Sequence, residues 1–420
     1  LLLQLTGDAD SVTITAVFMF SALLLACAVF SKTIGVMSAP FIFLTMQLLM
    51  AIGTIDYLNV DIASDRLHWI VIVTSYFTFL IMSIVFALVG CRNRSLPRAN
   101  IGSGAGFSMV RPNRSMVLLL SISILICTAY FNAVGYNLFL SSLSGSVSDV
   151  ATARLNAYAG TTYFFPGYVN QFKDALLPSL TVLIIGYLFS VRSGHRWWVS
   201  TSLATVALVF IMGTGQRGAF VTMLFVILVF ASYLTRRAFR KVVLIVCVAG
   251  TVIFSIGSVA LGRSSGDLDQ AEGLMDKSQV LLTELVSRLV DSNQLASTAA
   301  FRYIDSIPPA FGGEMFQALL GLLPGVSGSS LSNVVFSHLY GSDRGTAPPS
   351  VWGSIYHNFG LVGVLVASII LSFIYVQLAV KIRYSKDLNS VTAIGMAGVT
   401  ALLGTWIAGG PESLANSGIA

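Results

Sequence analysis

The chain has 420 residues, of which 55% are hydrophobic and only 10% charged, with a formal net charge of +6. A soluble domain carries about 25% charged residues, so composition excludes an ordinary water-soluble enzyme or binding module. The positive balance would suit nucleic acid, but the placement of the charges along the chain explains it otherwise.

Apolar runs of about 20 residues read as membrane-spanning helices. In chain order they fall at 11–30, 34–52, 68–90, 116–140, 175–190, 197–213, 219–234, 242–261, 352–380 and 391–409. The fold class expected is therefore all-α, a polytopic membrane bundle with about ten visible spans. The run 352–380 is long and begins with Gly and polar residues, so its first part is a candidate for the outer loop before it. Leu1-Leu2-Leu3 reads as the end of an earlier helix, and Ser413 to Ala420 as a loop or the start of another. At least one further span is expected at each end.

Lys and Arg concentrate in the loops at 31–33, 91–115, 191–196, 235–241 and 381–390, which together hold 15 of the 24 basic residues and a single acid, Asp387. By the positive-inside rule these loops face the cytoplasm. The alternating loops 53–67, 142–174, 214–218 and 262–351 then face outward and take 17 of the 18 acids, with the two termini. Topology thus accounts for the net charge, and no nucleic-acid partner is expected. The expected organisation is a bundle over 1–261 with an outer loop at 142–174, a large outer loop over 262–351, and C-terminal spans over 352–420. Cys27, Cys91, Cys127 and Cys247 all lie in spans or at a cytoplasmic edge, so no outer disulfide is expected.

Within the large loop, 276–307 reads as a helix. Leu281, Leu282, Leu285, Val286, Leu289 and Val290 share one face, and Glu284, Arg288 and Asp291 the other. After Pro308-Pro309 the loop turns Gly-rich and ends at Pro348-Pro349.

The chemistry-bearing candidates are the few charges on the outer side. Arg217 sits in the tight turn Gly213-Thr-Gly-Gln-Arg-Gly218, against the local charge rule. Flanking glycines let a backbone approach closely, and an Arg there can hold a phosphate through paired hydrogen bonds. The competing reading is an Arg snorkelling to lipid headgroups. Arg288 is either a surface partner of Glu284 or a second phosphate clamp, and Arg302 beside Asp305 is read the same way. Arg344 lies in the turn Tyr340-Gly-Ser-Asp-Arg-Gly345, which presents a side chain. His338, Tyr356, His357 and Asn358 stand at the return to the membrane. Polar groups there face a cavity or anchor at the headgroups, and a histidine can act as a general base. The pairs Asp8-Ala-Asp10 and Asp267-Leu-Asp269 could bind Mg²⁺ or Mn²⁺, but the motif is short and common. No P-loop or Rossmann fingerprint occurs, which argues against nucleotide-driven pumping. No span needs a charge at its centre, which argues against an ion-coupled transporter.

Several blocks together resemble one family. Gly321-Leu-Leu-Pro-Gly325, the Ser-rich stretch to Phe336-Ser337, Pro348-Pro-Ser-Val-Trp-Gly353 and Tyr356-His-Asn-Phe-Gly360-Leu-Val-Gly363 are similar to the late motifs of bacterial oligosaccharide repeat-unit polymerases. These are the Wzy-type O-antigen polymerases, of the GT-C-like superfamily. The Gly213–Gly218 turn before Ala219-Phe220 resembles their central motif. The resemblance covers about sixty residues.

What the resemblance implies is an inner-membrane glycosyltransferase acting at the periplasmic face on repeats linked to undecaprenyl diphosphate, without a metal or other cofactor. Arg217 matches the family's central Arg, and Arg288, Arg344 and Arg302 would assist at the diphosphate. His357, Tyr356 and Arg217 would be catalytic, and His338 and Asn358 would bind substrate. Many members carry Glu shortly after the Gly matching Gly353. Here that place is Ser354, so His357 becomes the candidate base. Membrane lipids, a flippase and a chain-length regulator are the implied partners. The nearest rival is the O-antigen ligase, whose late motif places a spacer between His-Asn and Gly-x-x-Gly. Here His357-Asn358 lies almost directly against Gly360-x-x-Gly363. A lipid-linked oligosaccharide flippase is the rival from another class.

Overall fold

The computed structural model describes residues 9–92, 109–144, 153, 169–191, 194–215, 218–233, 236–260, 279–280, 283, 290, 294–320, 331–341, 347–385 and 389–410. In chain order the helices are α1 (Ala9–Lys32), α2 (Ala39–Ile55), α3 (Ala63–Cys91), α4 (Arg114–Val134) and α5 (Leu138–Leu143). A π-helical turn, Gln171–Leu176, runs into α6 (Leu177–Ser190), followed by α7 (Arg196–Met212), α8 (Gly218–Ser232) and α9 (Arg236–Ala260). Then come α10 (Gln294–Ile304), α11 (Gly313–Leu320), α12 (Leu331–Tyr340), α13 (Ser350–Arg383) and α14 (Ser390–Thr405), with a 3₁₀ turn at Trp406–Ala408. Each of the ten apolar runs falls on a helix.

Among the described residues, five helices are long and apolar enough to cross a membrane: Ser11–Lys32, Ala63–Cys91, Arg114–Val134, Gln171–Ser190 and Ser350–Arg383. Shorter apolar helices are α2, α7, α8 and α14. The architecture is that of a multi-pass helical membrane protein. Outward-facing residues such as Phe18, Leu25, Val89, Leu125 and Val362 are more than half exposed, the pattern a bilayer would cover.

Several boundaries shift by a few residues from the sequence reading, and two of the differences matter. The run 116–140 is broken at Gly135, which takes a left-handed conformation (φ 88°) and ends α4. Asn137 then caps α5 by accepting from Leu140 N. The helix expected from residue 68 starts at Ala63, which draws Asp65 and His68 into its first turns. Of the helix expected over 276–307, Gln294–Ile304 is described. Most of its expected apolar face, with Glu284, Arg288 and Asp291, lies outside the described residues.

The chain divides into two compact units, each described by itself. The first comprises 1–95, 286–384 and 402–415. Its core is built where α13 packs along α3, the most extensive helix pairing among the described residues. Phe43 of α2 meets Phe79 of α3 (4.8 Å between ring centroids), Tyr375 (5.4 Å) and Trp352 (6.0 Å) of α13. Lipid tails are as apolar as these side chains, so burial alone does not hold such helices together; close fit and polar hooks do. The hooks are visible. Tyr76 donates to Met19 O at 2.8 Å and Tyr375 to Leu403 O at 2.9 Å. With its amide oxygen turned toward the donors, Gln47 accepts from Trp352 Nε1 at 3.0 Å and Tyr76 N at 3.1 Å.

This unit sorts its described charges. The turn after α1 and the C-terminal ends of α3 and α13 meet, since a Cβ on Gly35 would lie 3.2 Å from Arg383 and one on Gly90 would lie 3.5 Å from Val380. That end carries Lys32, Arg92, Lys381 and Arg383. The described acids, Asp10, Asp56, Asp61, Asp65, Asp305 and Glu314, belong to the opposite ends of these helices and to the elements packed there, together with two cations, Arg66 and Arg302.

The second unit comprises 96–285, 385–401 and 416–420. Leu120, Leu177, Leu180, Ala207, Ile211 and Phe220 form its core across α4, α6, α7 and α8. The expected divisions at 261 and 351 follow the loops, whereas these units follow spatial contact.

Candidate functional site

The candidate site grows from a break in α13. Gly360 adopts φ 63°, ψ −165°, which divides the helix into a first segment, 350–359, and a long apolar one, 361–383. A residue with a side chain strongly disfavours this conformation. The first segment is the part of the 352–380 run that the sequence sets apart. Proline precedes it, and the Ser350 hydroxyl accepts from Gly353 N at 3.1 Å, closing its first turn.

Ser354, His357 and Asn358 are buried on this segment. Glu314, in the first turn of α11, reaches them. Its Oε2 accepts from Ser354 Oγ at 3.0 Å and from Asn358 Nδ2 at 2.8 Å. Its Oε1 accepts from the backbone N of Leu331, the first residue of α12, at 3.0 Å. One carboxylate thus joins α11, α12 and α13. The turn before α11 is pinned to the same segment, because Ala310 N donates to His357 O at 3.0 Å. Two buried polar atoms there, His357 Nδ1 and Asn358 Oδ1, have no hydrogen-bond partner among the described residues. A buried polar atom left without a partner costs about 1–3 kcal/mol.

Tyr356 is half-buried, with its ring centroid 5.6 Å from Phe301 of α10. Phe301 stacks in turn on His68 of α3 at 4.4 Å. Ser297 donates to Pro349 O at 3.2 Å and lies 3.0 Å from His68 Nε2. A hydroxyl has one proton, so with that proton on Pro349 O the His68 Nε2–H is the donor to Ser297. Helix α10 therefore seats the start of α13 against α3.

Arg302 is engaged elsewhere than at a ligand. Its Nε donates to Asp65 Oδ1 at 2.8 Å and its Nη2 to Oδ2 at 2.7 Å, the paired geometry of a guanidinium on a carboxylate. This hydrogen bonding raises the Arg302 guanidinium above its ordinary value. Asp65 is fully buried and also accepts from Asn59 N at 2.8 Å. His338 is exposed on α12, with its ring 5.6 Å from Tyr303.

In the second unit the Gly213 turn is built on a close approach. A Cβ at Gly213 would collide with the Phe131 ring and the Asn137 amide. Leu138 N donates to Gly213 O at 2.7 Å, and Asn137 Nδ2 to Val209 O at 3.1 Å. Lys173, fully buried in the π-helical turn, pairs with Asp174 at 2.9 Å and donates to Thr214 Oγ1 at 3.2 Å. A π-turn inside a helix often accompanies a functional site.

Among the predicted site residues, the structure brings Tyr356, His357 and Asn358 together on one short segment and commits Arg302 to Asp65. Arg217, Arg288 and Arg344 lie outside the described residues, as do Asp8, Asp267 and Asp269. Sequence reading missed Glu314, Asp65 and the Lys173–Asp174 pair. For Glu314 a signal existed: a lone acid directly after Gly312-Gly313, where a helix N-terminus favours a carboxylate.

No known protein family, curated protein or solved structure matches this chain.

Proposed function

We propose that this chain is a membrane glycosyltransferase that polymerises oligosaccharide repeat units carried on undecaprenyl diphosphate, at the outer face of the bacterial inner membrane. The observation that carries the reading is buried His357, whose Nδ1 has no partner among the described residues, on the segment that Glu314 anchors. The sorted charges of the first unit support the orientation. Its end with only cations described would face the cytoplasm, and the end bearing Glu314 and His357 the periplasm.

In the reaction, an acceptor sugar hydroxyl attacks the anomeric carbon of the growing chain. The new glycosidic C–O bond forms as the bond to the lipid diphosphate breaks, and the diphosphate leaves with the electron pair. His357 Nδ1 takes the hydroxyl proton. Asn358 Oδ1 binds a second hydroxyl, and Tyr356 lines the approach. Positive charge for the departing diphosphate is the role that the sequence motifs alone assign to Arg217, Arg288 and Arg344. Arg302 is withdrawn from that role, because its guanidinium is occupied by Asp65. The activated leaving group removes any need for a nucleotide. Where the family resemblance leads one to expect a carboxylate after Gly353, Glu314 supplies one through space beside Ser354.

Transport has one observation in its favour: a buried Lys173–Asp174 pair in a π-turn at the start of a candidate span. The test is a gel of surface polysaccharide from cells lacking the protein. Loss of the ladder with a single repeat still on the core supports polymerisation. Loss of every repeat from the core with long polymer on its carrier points to the ligase, and loss of all outward-facing repeats points to transport.

A further inference from the structure

Beside the candidate site the chain displays aromatic side chains outward. Phe311 is 82% exposed, Phe316 63% and Phe359 51%. Phe311 does so from a left-handed backbone, φ 47°, which bulky residues seldom adopt. The turn that carries it is held against α13. Ala310 N donates to His357 O, Gly313 N donates to Ala310 O at 2.8 Å, and a Cβ on Gly312 would lie 3.4 Å from the Phe359 ring. Phe316 N donates to Gly312 O at 3.0 Å, which ties α11 to the same turn.

The depth of this patch follows from helix length. Beyond the break at Gly360, exposed Val362, Val366, Ile370 and Phe373 run along α13 toward Lys381 and Arg383. From Leu361 to Val380 the helix rises about 30 Å at about 1.5 Å per residue. The hydrocarbon core of a bilayer is about 30 Å thick. With Lys381 and Arg383 in the headgroups of one leaflet, Gly360 arrives at the hydrocarbon edge of the other. Phe359 is the next residue and Phe311 is on the turn packed beside it. Phenylalanine has no polar edge, but an interfacial element buries such rings about 5–10 Å into the headgroup–acyl boundary while its polar groups stay in the headgroups.

We infer that Phe311, Phe316 and Phe359 form an aromatic anchor that inserts into the acyl–headgroup boundary of the bilayer. The partner is the membrane lipid itself. The anchor fixes α11 at headgroup depth, and with it the Glu314 carboxylate and the buried His357. A reacting group carried by a lipid would be met at that depth. The anchor is independent of the reaction the site performs.

The test uses the full chain in vesicles of phosphatidylethanolamine and phosphatidylglycerol. Cys27, Cys91, Cys127 and Cys247 are replaced by alanine, and a nitroxide is attached in turn at Phe311→Cys, Phe316→Cys and Val366→Cys. Collision of the label with oxygen reports lipid, and collision with a water-soluble nickel chelate reports water. Oxygen should dominate at Phe311→Cys and Phe316→Cys, at a shallower depth than at the Val366→Cys reference. Dominance of the nickel chelate at both would place the turn in water and overturn the anchor. Low collision rates with both probes would mean that protein covers the turn, which equally overturns it. Both positions are exposed, so neither label disturbs the core, and a Val366→Cys reading typical of lipid verifies insertion. A polysaccharide gel that refuted polymerisation would leave this result standing.

Discussion

Glu314 and Ser354 lie 40 residues apart in sequence, yet the Glu314 carboxylate accepts from the Ser354 hydroxyl at 3.0 Å. The same carboxylate oxygen takes Asn358 Nδ2, so it fixes two successive turns of the segment that carries His357. Glu314→Ala strands two donors, Ser354 Oγ and Leu331 N, and leaves Asn358 Nδ2 with only its second acceptor, Ser354 O at 2.8 Å. Each stranded buried donor costs about 1–3 kcal/mol. The expected result is a clear fall in melting temperature in detergent together with loss of polymer. Glu314→Gln keeps the shape but turns an amide donor toward donors, and should recover only part of either property. Unchanged melting in Glu314→Ala would mean the hydrogen bonds contribute nothing to the fold.

His357 should separate fold from activity. Its Nδ1 makes no hydrogen bond to the described residues, so replacement by Gln removes no bond of that atom that the folded protein uses. We expect His357→Gln to melt within a few degrees of the parent. Polymer formation in a reconstituted assay should fall about 10²–10⁴-fold, the usual contribution of a general base. Full activity in this variant would remove His357 from the mechanism.

The pair between Asp65 and Arg302 predicts an asymmetry. Asp65 is fully buried and Arg302 is 45% exposed at its side chain. Arg302→Ala leaves a buried carboxylate held by Asn59 N without its charged partner, whereas Asp65→Ala leaves a guanidinium that water can reach. Breaking a fully buried pair costs about 3–5 kcal/mol. Exposure of the Arg reduces this here, to about 2 kcal/mol for Arg302→Ala and under about 1 kcal/mol for Asp65→Ala. Chemical denaturation of the two variants in mixed micelles measures the order. Equal losses would show that the burial of Asp65 does not govern the pair.

The helices were legible because a bilayer imposes a plain rule on sequence: long apolar runs separated by charge. All ten runs fall on helices for that reason, and the late block Tyr356-His357-Asn358 is one segment because its residues are adjacent. What could not be read is what depends on distant pairing. Nothing local to Glu314 says that it meets Ser354, and Arg302 had a nearer acid, Asp305, than the one it binds. The break at Gly360 was equally hidden. The chain has 37 glycines, and hydropathy does not say which of them turns a helix.

Gly213 and Gly360 are both glycines that matter, for opposite reasons, and two alanine substitutions should tell them apart. At Gly213 the obstacle is space: an added Cβ meets Phe131 and Asn137, while the backbone is ordinary for a helix end (φ −60°, ψ −24°). At Gly360 no atom lies within 4 Å of an added Cβ, but φ 63°, ψ −165° is a conformation nearly confined to glycine. Gly213→Ala should therefore be partly rescued by Phe131→Leu, which trims the ring that the new methyl meets. No trimming of a neighbour should rescue Gly360→Ala, because its cost, about 1–3 kcal/mol, lies in the backbone. The cheaper course for that chain is to straighten α13. Straightening would redirect 350–359 and pull Ser354 and Asn358 off Glu314. Gly360→Ala should thus lose polymer formation while its helix content, read by circular dichroism, stays level or rises. A Gly360→Ala protein of parental activity would show that the bend is not needed to assemble the site.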